Sequence, residues 1–401
     1  MNTCKLSQRV QINNFFQETY DEIIQRERSS FDKLTVPFTN SLVLFGAGGL
    51  GKKTLSGLRQ IGIEPLAFAD NNPALWNQLV DGLTVYSPAD AAKKFGHCAV
   101  FIVTIWKAGG KHRLANTKHQ LFNLGCRNIV SFAHLFWKYP DIFLPYYCLD
   151  LPHKVYQETN EIINTFLLWY DEASMLEYLA QLRLRLFLDF DGLPSPVTHE
   201  QYFPEDLFSF TPDEVFVDCG AFDGDSLKSF IRRQGKDFKR YIALEPDPVN
   251  FKNLEKVISS MSSSLKNKIT IYPLALSNRR GKLRFEATGT AAAMISETGT
   301  IEINCTPLDE LLADTHPTYI KMDIEGAEID ALLGAKHVIQ EFKPILAISV
   351  YHKQNHLWRI PIILQSFSDQ YCFFLRPYNQ EAWNLIRYAV PQKKLKRVYK
   401  N

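Results

Sequence analysis

Short apolar runs ending in glycine or an acid recur along the chain, with helical spacing of apolar positions between them. "SLVLFG" (41–46) is the first, of the kind that fills a parallel strand covered on both faces. A helical pattern follows to about Ile61. "EPLAFAD" (64–70), "HCAVFIVTI" (97–105) and "RNIVSFA" (127–133) repeat the strand pattern, with a helix to about Leu124 before the last. This alternation predicts a Rossmann-like α/β domain over 41–140. Ahead of it, 7–30 is polar with spaced apolar positions, a surface helix within an N-terminal helical extension, 1–40. Residues 140–153, rich in Pro, Tyr and Asp, read as a connector. Residues 155–190 carry helical spacing until "GLPSP" (192–196) breaks it, so 141–200 reads as a helical linker.

From 201 a second alternation begins. "EVFVDCG" (214–220), "YIALEP" (241–246), "KITIYPLALS" (268–277), "YIKMDIEG" (319–326) and "KPILAISVYH" (343–352) predict strands, with helices over 248–260 and 326–340 among them. "YCFFLRP" (371–377) and "AWNLIRYAV" (382–390) lie too close for a crossover and predict an antiparallel pair. The fold class is therefore α/β, with two Rossmann-like domains; the second spans 201–401.

Composition narrows the field. The 401 residues carry a net charge of +2, which gives no electrostatic case for nucleic acid. No apolar run reaches the length of a membrane span. The N-terminus lacks the basic and apolar regions of a secretory signal. None of the seven cysteines forms a C-x-x-C pair, so a reduced, cytoplasmic protein is expected. The basic tail Lys393-Lys394-Leu395-Lys396-Arg397 reads as a solvated terminus.

"LFGAGGLGKKT" (44–54) admits two chemistries. As a P-loop it fails, because Lys53 stands where Ser or Thr must reach magnesium and Thr54 comes one place late. As a dinucleotide turn it is better: Gly46, Gly48 and Gly51 follow a strand and open a helix, and Asp70 ends the next strand 19 residues after Gly51. A nucleotide-type ligand and a purely structural role are weighed equally. No tyrosine–lysine pair for hydride transfer is visible, so a nicotinamide-dependent oxidoreductase ranks lower.

"VFVDCGAFDGDS" (215–226) is less conspicuous and more informative. A strand ends in Asp218, then Gly220 and Gly224 lead into a helix. Small residues there let backbone approach a ligand closely. An acid at that spot disfavours pyrophosphate and suits a cationic or neutral nucleoside. Glu245 ends the next strand, 21 residues after Gly224, where ribose hydroxyls are accepted in nucleotide folds. Leu276 and Ser277 follow the third strand and are placed to meet an adenine ring. Lys321, Asp323, Glu325 and Glu328 cluster after the fourth.

With these motifs in order, residues 201–390 resemble the FkbM-type family of S-adenosylmethionine-dependent methyltransferases. "ALEPDPVNF", "PLALSNRRGKLRF", "TPLDELL", "YIKMDIEGAE" and "AISVYHKQNHLWRIPIIL" carry the likeness alongside the first loop. The resemblance implies a class I methyltransferase fold with a terminal antiparallel strand pair, and O-methylation of a sugar or natural-product hydroxyl. It implies that Asp218, Gly220, Ala221, Phe222, Asp223 and Gly224 cradle the methionine end and part of the ribose of S-adenosylmethionine. Glu245 would take the ribose hydroxyls, Asn250 and Ser277 the adenosine side, and Asp323 the floor near the sulfonium. One departure is "TGTAAAMIS" (288–296), serine-rich in the family. "FADNNP" (68–73) resembles small domains preceding sugar-modifying transferases, where the ligand is a nucleotide or nucleotide-sugar.

The expectation is an O-methyltransferase acting on a small-molecule or glycan acceptor, with His352 as general base and Asp323 and His356 as runners-up. No metal is expected. Asp323, Glu325, Glu328 and His352 form the oxygen-rich alternative, ranked lower because Glu325 and Glu328 suit a helix's first turn. A nicotinamide-dependent oxidoreductase and an inactive two-domain scaffold are the rivals. The oligomeric state is open, with a homodimer as one option.

Overall fold

The protein is described by a computed structural model covering residues 12–109, 112–290, 293–296 and 298–399. The first sheet holds β1 (Leu42–Phe45), β2 (Ala67–Ala69), β3 (Leu79–Val80), β4 (Leu83–Tyr86), β5 (Val100–Val103) and β6 (Asn128–Ser131), ordered β3-β4-β2-β1-β5-β6. All pairs are parallel except β3 with β4. Every residue of β1 and β5 is buried, which explains their unbroken apolar runs. The β3–β4 hairpin turns at Asp81 and Gly82, both with positive φ, as a two-residue hairpin turn demands. Sequence reading missed it because its strands are short and partly exposed.

The second sheet begins with β7 (Val215–Cys219), β8 (Arg240–Leu244) and β9 (Ile269–Tyr272). The chain then leaves it for a smaller sheet: β10 (Ala275–Leu276), β11 (Gly281–Glu286), β12 (Met294–Ile295) and β13 (Ile301–Thr306), ordered β10-β13-β11-β12. It returns as β14 (Tyr319–Met322), β15 (Ile345–Ser349), β16 (Tyr371–Pro377) and β17 (Leu385–Pro391). The order is β16-β17-β15-β14-β7-β8-β9, with β17 antiparallel to both its neighbours and the remaining pairs parallel. The expected single strand at 268–277 is thus two strands in two sheets. Pro273, which has no N–H to donate, stands where the first ladder ends.

Three further expectations change. The helix read over 7–30 runs Tyr20–Thr35, started by a capping box between Thr19 and Glu22; residues 7–11 lie outside the described residues. It is not merely a surface helix: Ile23, Glu27, Phe31 and Thr35, four apart, are buried, and Glu27 accepts from the backbone N–H of His153 at 2.7 Å. The helix read over 155–190 is two, Thr159–Phe166 and Glu172–Phe187, the second capped by Asp171. Ser174 of the second accepts from the Leu375 N–H of β16, and the buried Arg185 guanidinium donates to the Gln354 carbonyl. One apolar cluster joins Val43, Leu182 and Ile320, so this helical segment packs into a core shared with both sheets. The basic tail is also packed: Leu395 is buried and Lys394 donates to the Thr318 carbonyl at 3.0 Å.

Candidate functional site

A cavity of about 530 Å³ opens at the carboxyl ends of β7, β8 and β14. The strand order reverses between β7 and β14, and open parallel sheets offer a crevice at that point. Gly220 floors it with φ +82°, and a Cβ there would lie 2.0 Å from the Asp323 carbonyl oxygen. Only glycine lets these two strand ends meet.

Glu245 lines the wall at the end of β8. Its carboxylate accepts from the Phe222 N–H at 2.8 Å and the Asp247 N–H at 2.9 Å, which fixes its orientation. Burial pushes its pKa up to about 7 against those two bonds. Asn250 lies beside it, Nδ2 donating to the Thr290 carbonyl at 3.2 Å. Its Oδ1 is buried with no hydrogen-bond partner, an acceptor awaiting a donor. Leu276, Phe285 and Ile295 of the small sheet add an apolar flank, so the insertion between β9 and β14 helps build the cavity.

Other expected cofactor residues stand elsewhere. Asp218 is fully buried beneath the cavity rather than on its wall. Its carboxylate accepts from Lys321 Nζ at 2.8 Å and the Tyr241 hydroxyl at 2.6 Å, while Lys321 also reaches the Gly220 carbonyl at 2.6 Å. Asp218 is thus committed to Lys321, which steadies the Gly220 turn. Ala221 is buried, Asp223 pairs with Lys228 at 3.5 Å, and Gly224 caps the following helix in the left-handed region. Phe222 remains on the wall. Ser277 is buried off the cavity, its N–H bonded to the Thr306 carbonyl.

After β14 and β15 the chain brings together Asp323, Glu325, Glu328, His352 and His356. Asp323 and Glu325 line the cavity; His352 lies behind them with a side chain 2% exposed. His352 Nδ1 is 2.8 Å from Glu328 Oε1, and its Nε2 is 3.4 Å from both Asp323 Oδ1 and Glu325 Oε1. Burial opposes a charge on this imidazole, but Glu328 and Glu325 outweigh it and raise its pKa well above the usual range. Its Nδ1 is committed to Glu328 and the ring does not reach the cavity wall, so it is not placed to take a proton from an acceptor there. His356 is buried behind Glu328, its Nδ1 3.2 Å from Glu328 Oε2, and burial lowers its pKa. Both histidines expected as bases are therefore screened from the cavity, and Asp323 alone of the three reaches it.

Residues 218–389 match the family model of the methyltransferase FkbM domain. This segment is an FkbM methyltransferase domain. The whole chain also has the fold of a solved methyltransferase FkbM from Methylobacillus flagellatus KT: 23% identity, 97% of this chain and 98% of that one, TM-score 0.74. A methyltransferase domain of bacterial CtHen1 aligns over 45% of this chain and 91% of its own, at 10% identity and TM-score 0.28, too loosely to carry an argument. No curated protein sequence matches the chain.

The FkbM domain does not enclose its cavity alone. Trp106, Lys107, Tyr146 and Tyr147, from the N-terminal half, form part of the wall. Trp106 packs tilted against Trp383 at 4.7 Å between centroids, and Tyr147 meets Trp383 edge-on at 4.6 Å. The Trp106 indole donates to the Glu381 carbonyl at 3.0 Å and Arg113 to Gln380 at 2.7 Å, which ties the β16–β17 loop to the N-terminal sheet. Sequence reading missed these residues: 140–153 looked like a connector, and Trp106 lies more than 250 residues from Trp383. The aromatic density of "PYYC" (145–148) was the available signal.

In the N-terminal glycine turn one backbone amide is taken by the chain's own carboxylate. The Asp70 carboxylate accepts from the Ala47 N–H at 2.7 Å and the Asn72 N–H at 2.8 Å. It lies across the amide that a pyrophosphate would seek. A Cβ on Gly51 would lie 1.8 Å from the Gly46 carbonyl oxygen, whereas one on Gly48 would meet nothing within 4 Å. Gly51→Ala is therefore expected to destabilise the protein by about 1–3 kcal/mol, and Gly48→Ala by no more than about 0.5 kcal/mol. Denaturant unfolding of both variants checks this; a Gly51→Ala protein of unchanged stability would remove the packing account.

Proposed function

We propose that this protein transfers a methyl group from S-adenosylmethionine to a hydroxyl of a carbohydrate, glycan precursor or natural product. The observation that carries the reading is the Glu245 carboxylate, fixed by two backbone N–H groups on the cavity wall beside the unpartnered Asn250 Oδ1. These are acceptors, and the donors of an adenosine (two ribose hydroxyls and an exocyclic amine) complement them. The glycine floor and the apolar flank of Leu276 and Phe285 suit the rest of a nucleoside.

Bound here, S-adenosylmethionine supplies a methyl group on a cationic sulfur. The chain's own part is to bind, align and take a proton. Glu245 and Asn250 hold the nucleoside end. The Tyr202 hydroxyl donates to Asp323 Oδ2 at 2.5 Å and the Tyr351 hydroxyl to its Oδ1 at 3.5 Å, which holds the carboxylate on the cavity wall as the group to receive the proton of an acceptor hydroxyl. Trp106, Tyr147 and Trp383 line the cavity and help exclude water, and an aromatic wall of this kind suits a sugar's apolar face.

The test is incubation with S-adenosylmethionine and a panel of nucleotide-sugars, polyols and amines, with mass analysis of the products. The reading requires a methyl on oxygen; transfer only to nitrogen or carbon would overturn it. A pH dependence also follows. The ionised Glu245 accepts from hydroxyls best, and its carboxyl takes up a proton as pH falls through about 7. S-adenosylhomocysteine should bind about tenfold more weakly at pH 6 than at pH 8 and level off above that. A flat profile by calorimetry would exclude Glu245 as the contact.

A further inference from the structure

We infer that Asp323, Glu325 and His352 form a divalent metal site on the cavity wall, of the Mn²⁺ or Zn²⁺ type, with Glu328 as its supporting carboxylate. One donor atom from each of the three lies within 4.8 Å of the others. His352 Nε2 is 3.4 Å from Asp323 Oδ1 and 3.4 Å from Glu325 Oε1, close to the separation of ligand atoms sharing one ion with bonds of about 2.1 Å.

Three observations separate this cluster from an ordinary acidic surface. First, the Nε2 atom is buried, aimed between the two carboxylates and without a hydrogen-bond partner. Second, the far side of the ring is arranged as metal-bound histidines are: Nδ1 faces Glu328 Oε1 at 2.8 Å, and that carboxylate also accepts from the Ile324 N–H at 3.0 Å. Third, Glu325 holds φ +51°, a left-handed conformation that L residues adopt at a cost and that concentrates at functional sites. Among the described residues, the ion pairs of Asp323, Glu325 and Glu328 run only to His352 and His356, leaving three carboxylates against two imidazoles. An ion at this place replaces the Nε2 proton. One imidazole with two carboxylates favours Mn²⁺ or Zn²⁺ over Mg²⁺. The two carboxylates line the cavity, so the open side of the ion faces it, and an oxygen of the acceptor completes the coordination. In this the inference rests on the methyl-transfer reading.

The test uses the full-length chain after chelator treatment. Mn²⁺ is titrated alone, with free ion read by electron paramagnetic resonance, and Zn²⁺ is added as competitor. One Mn²⁺ per chain is expected, displaced by Zn²⁺. Glu325→Gln should weaken binding at least about a hundredfold with melting unchanged, His352→Gln by as much but with a lowered melting temperature, because Glu328 loses its buried partner, and Glu328→Gln about 10–100-fold. Wild-type binding no tighter than that of Glu325→Gln would overturn the site. S-adenosylhomocysteine is titrated in parallel: a protein that binds it but takes up no Mn²⁺ sinks the metal site and leaves the methyl-transfer reading standing. Mn²⁺ binding without it does the reverse.

Discussion

Replacing Lys321 with methionine should cost the protein about 3–5 kcal/mol of stability. The ammonium lies 2.8 Å from Asp218 Oδ1, and both side chains are within a few per cent of complete burial. Burial alone would discharge each of them. The Coulomb attraction of Asp218 reverses this for the ammonium and holds its pKa above the ordinary range. Methionine fills the same length without charge, so the loss reports a carboxylate stranded in the core with only the Tyr241 hydroxyl for company. The double variant Asp218→Asn, Lys321→Met should recover part of the loss, because no buried charge remains. Denaturant unfolding measures both. A single-variant loss below about 1 kcal/mol would mean that the pair does not hold the strand ends together. Because Lys321 also donates to the Gly220 carbonyl, the same variant is expected to loosen the cavity floor and weaken nucleoside binding.

That pair also shows where sequence reading reached its limit. Asp218 stands at a strand end in a glycine-rich loop, where a ligand contact is a fair expectation. What withdraws it is Lys321, whose register beside Asp218 depends on β7 and β14 pairing across a hundred residues. Local pattern gives the strands, because burial on both faces leaves unbroken apolar runs in β1 and β5 and mostly apolar ones in β7 and β15. It also gives the antiparallel pair, whose residues 371–377 match β16. It does not give cross-chain partners. The aromatic wall of Trp106, Tyr147 and Trp383 exists only once the two halves pack, and each residue alone looks like ordinary core or connector. His352 shows a related limit: its place after a strand is legible, but the Glu328 carboxylate that faces its Nδ1 is not, because a helix-start acid has the same sequence pattern. Glu245 and Gly220 were legible because their positions follow from strand ends and backbone geometry alone.

Glu245→Ala is expected to weaken S-adenosylhomocysteine binding about a hundredfold or more. Two ribose hydroxyls donating to one carboxylate are charge-assisted hydrogen bonds, each worth about 1.5–3 kcal/mol. Part of the loss will come from the loop, since the Phe222 and Asp247 N–H groups also lose their acceptor. Glu245→Gln retains one of the two acceptor oxygens and should lie between alanine and wild type. Asn250→Ala, which removes an unpartnered acceptor, should cost less, about tenfold.

The most direct test is isothermal calorimetry of the wild-type protein and Glu245→Ala, titrated separately with S-adenosylhomocysteine and NAD. The account predicts one S-adenosylhomocysteine site per chain, lost or weakened at least about a hundredfold in the variant, and no binding of NAD. Tight S-adenosylhomocysteine binding unchanged by the substitution, or NAD binding in place of it, would contradict the account.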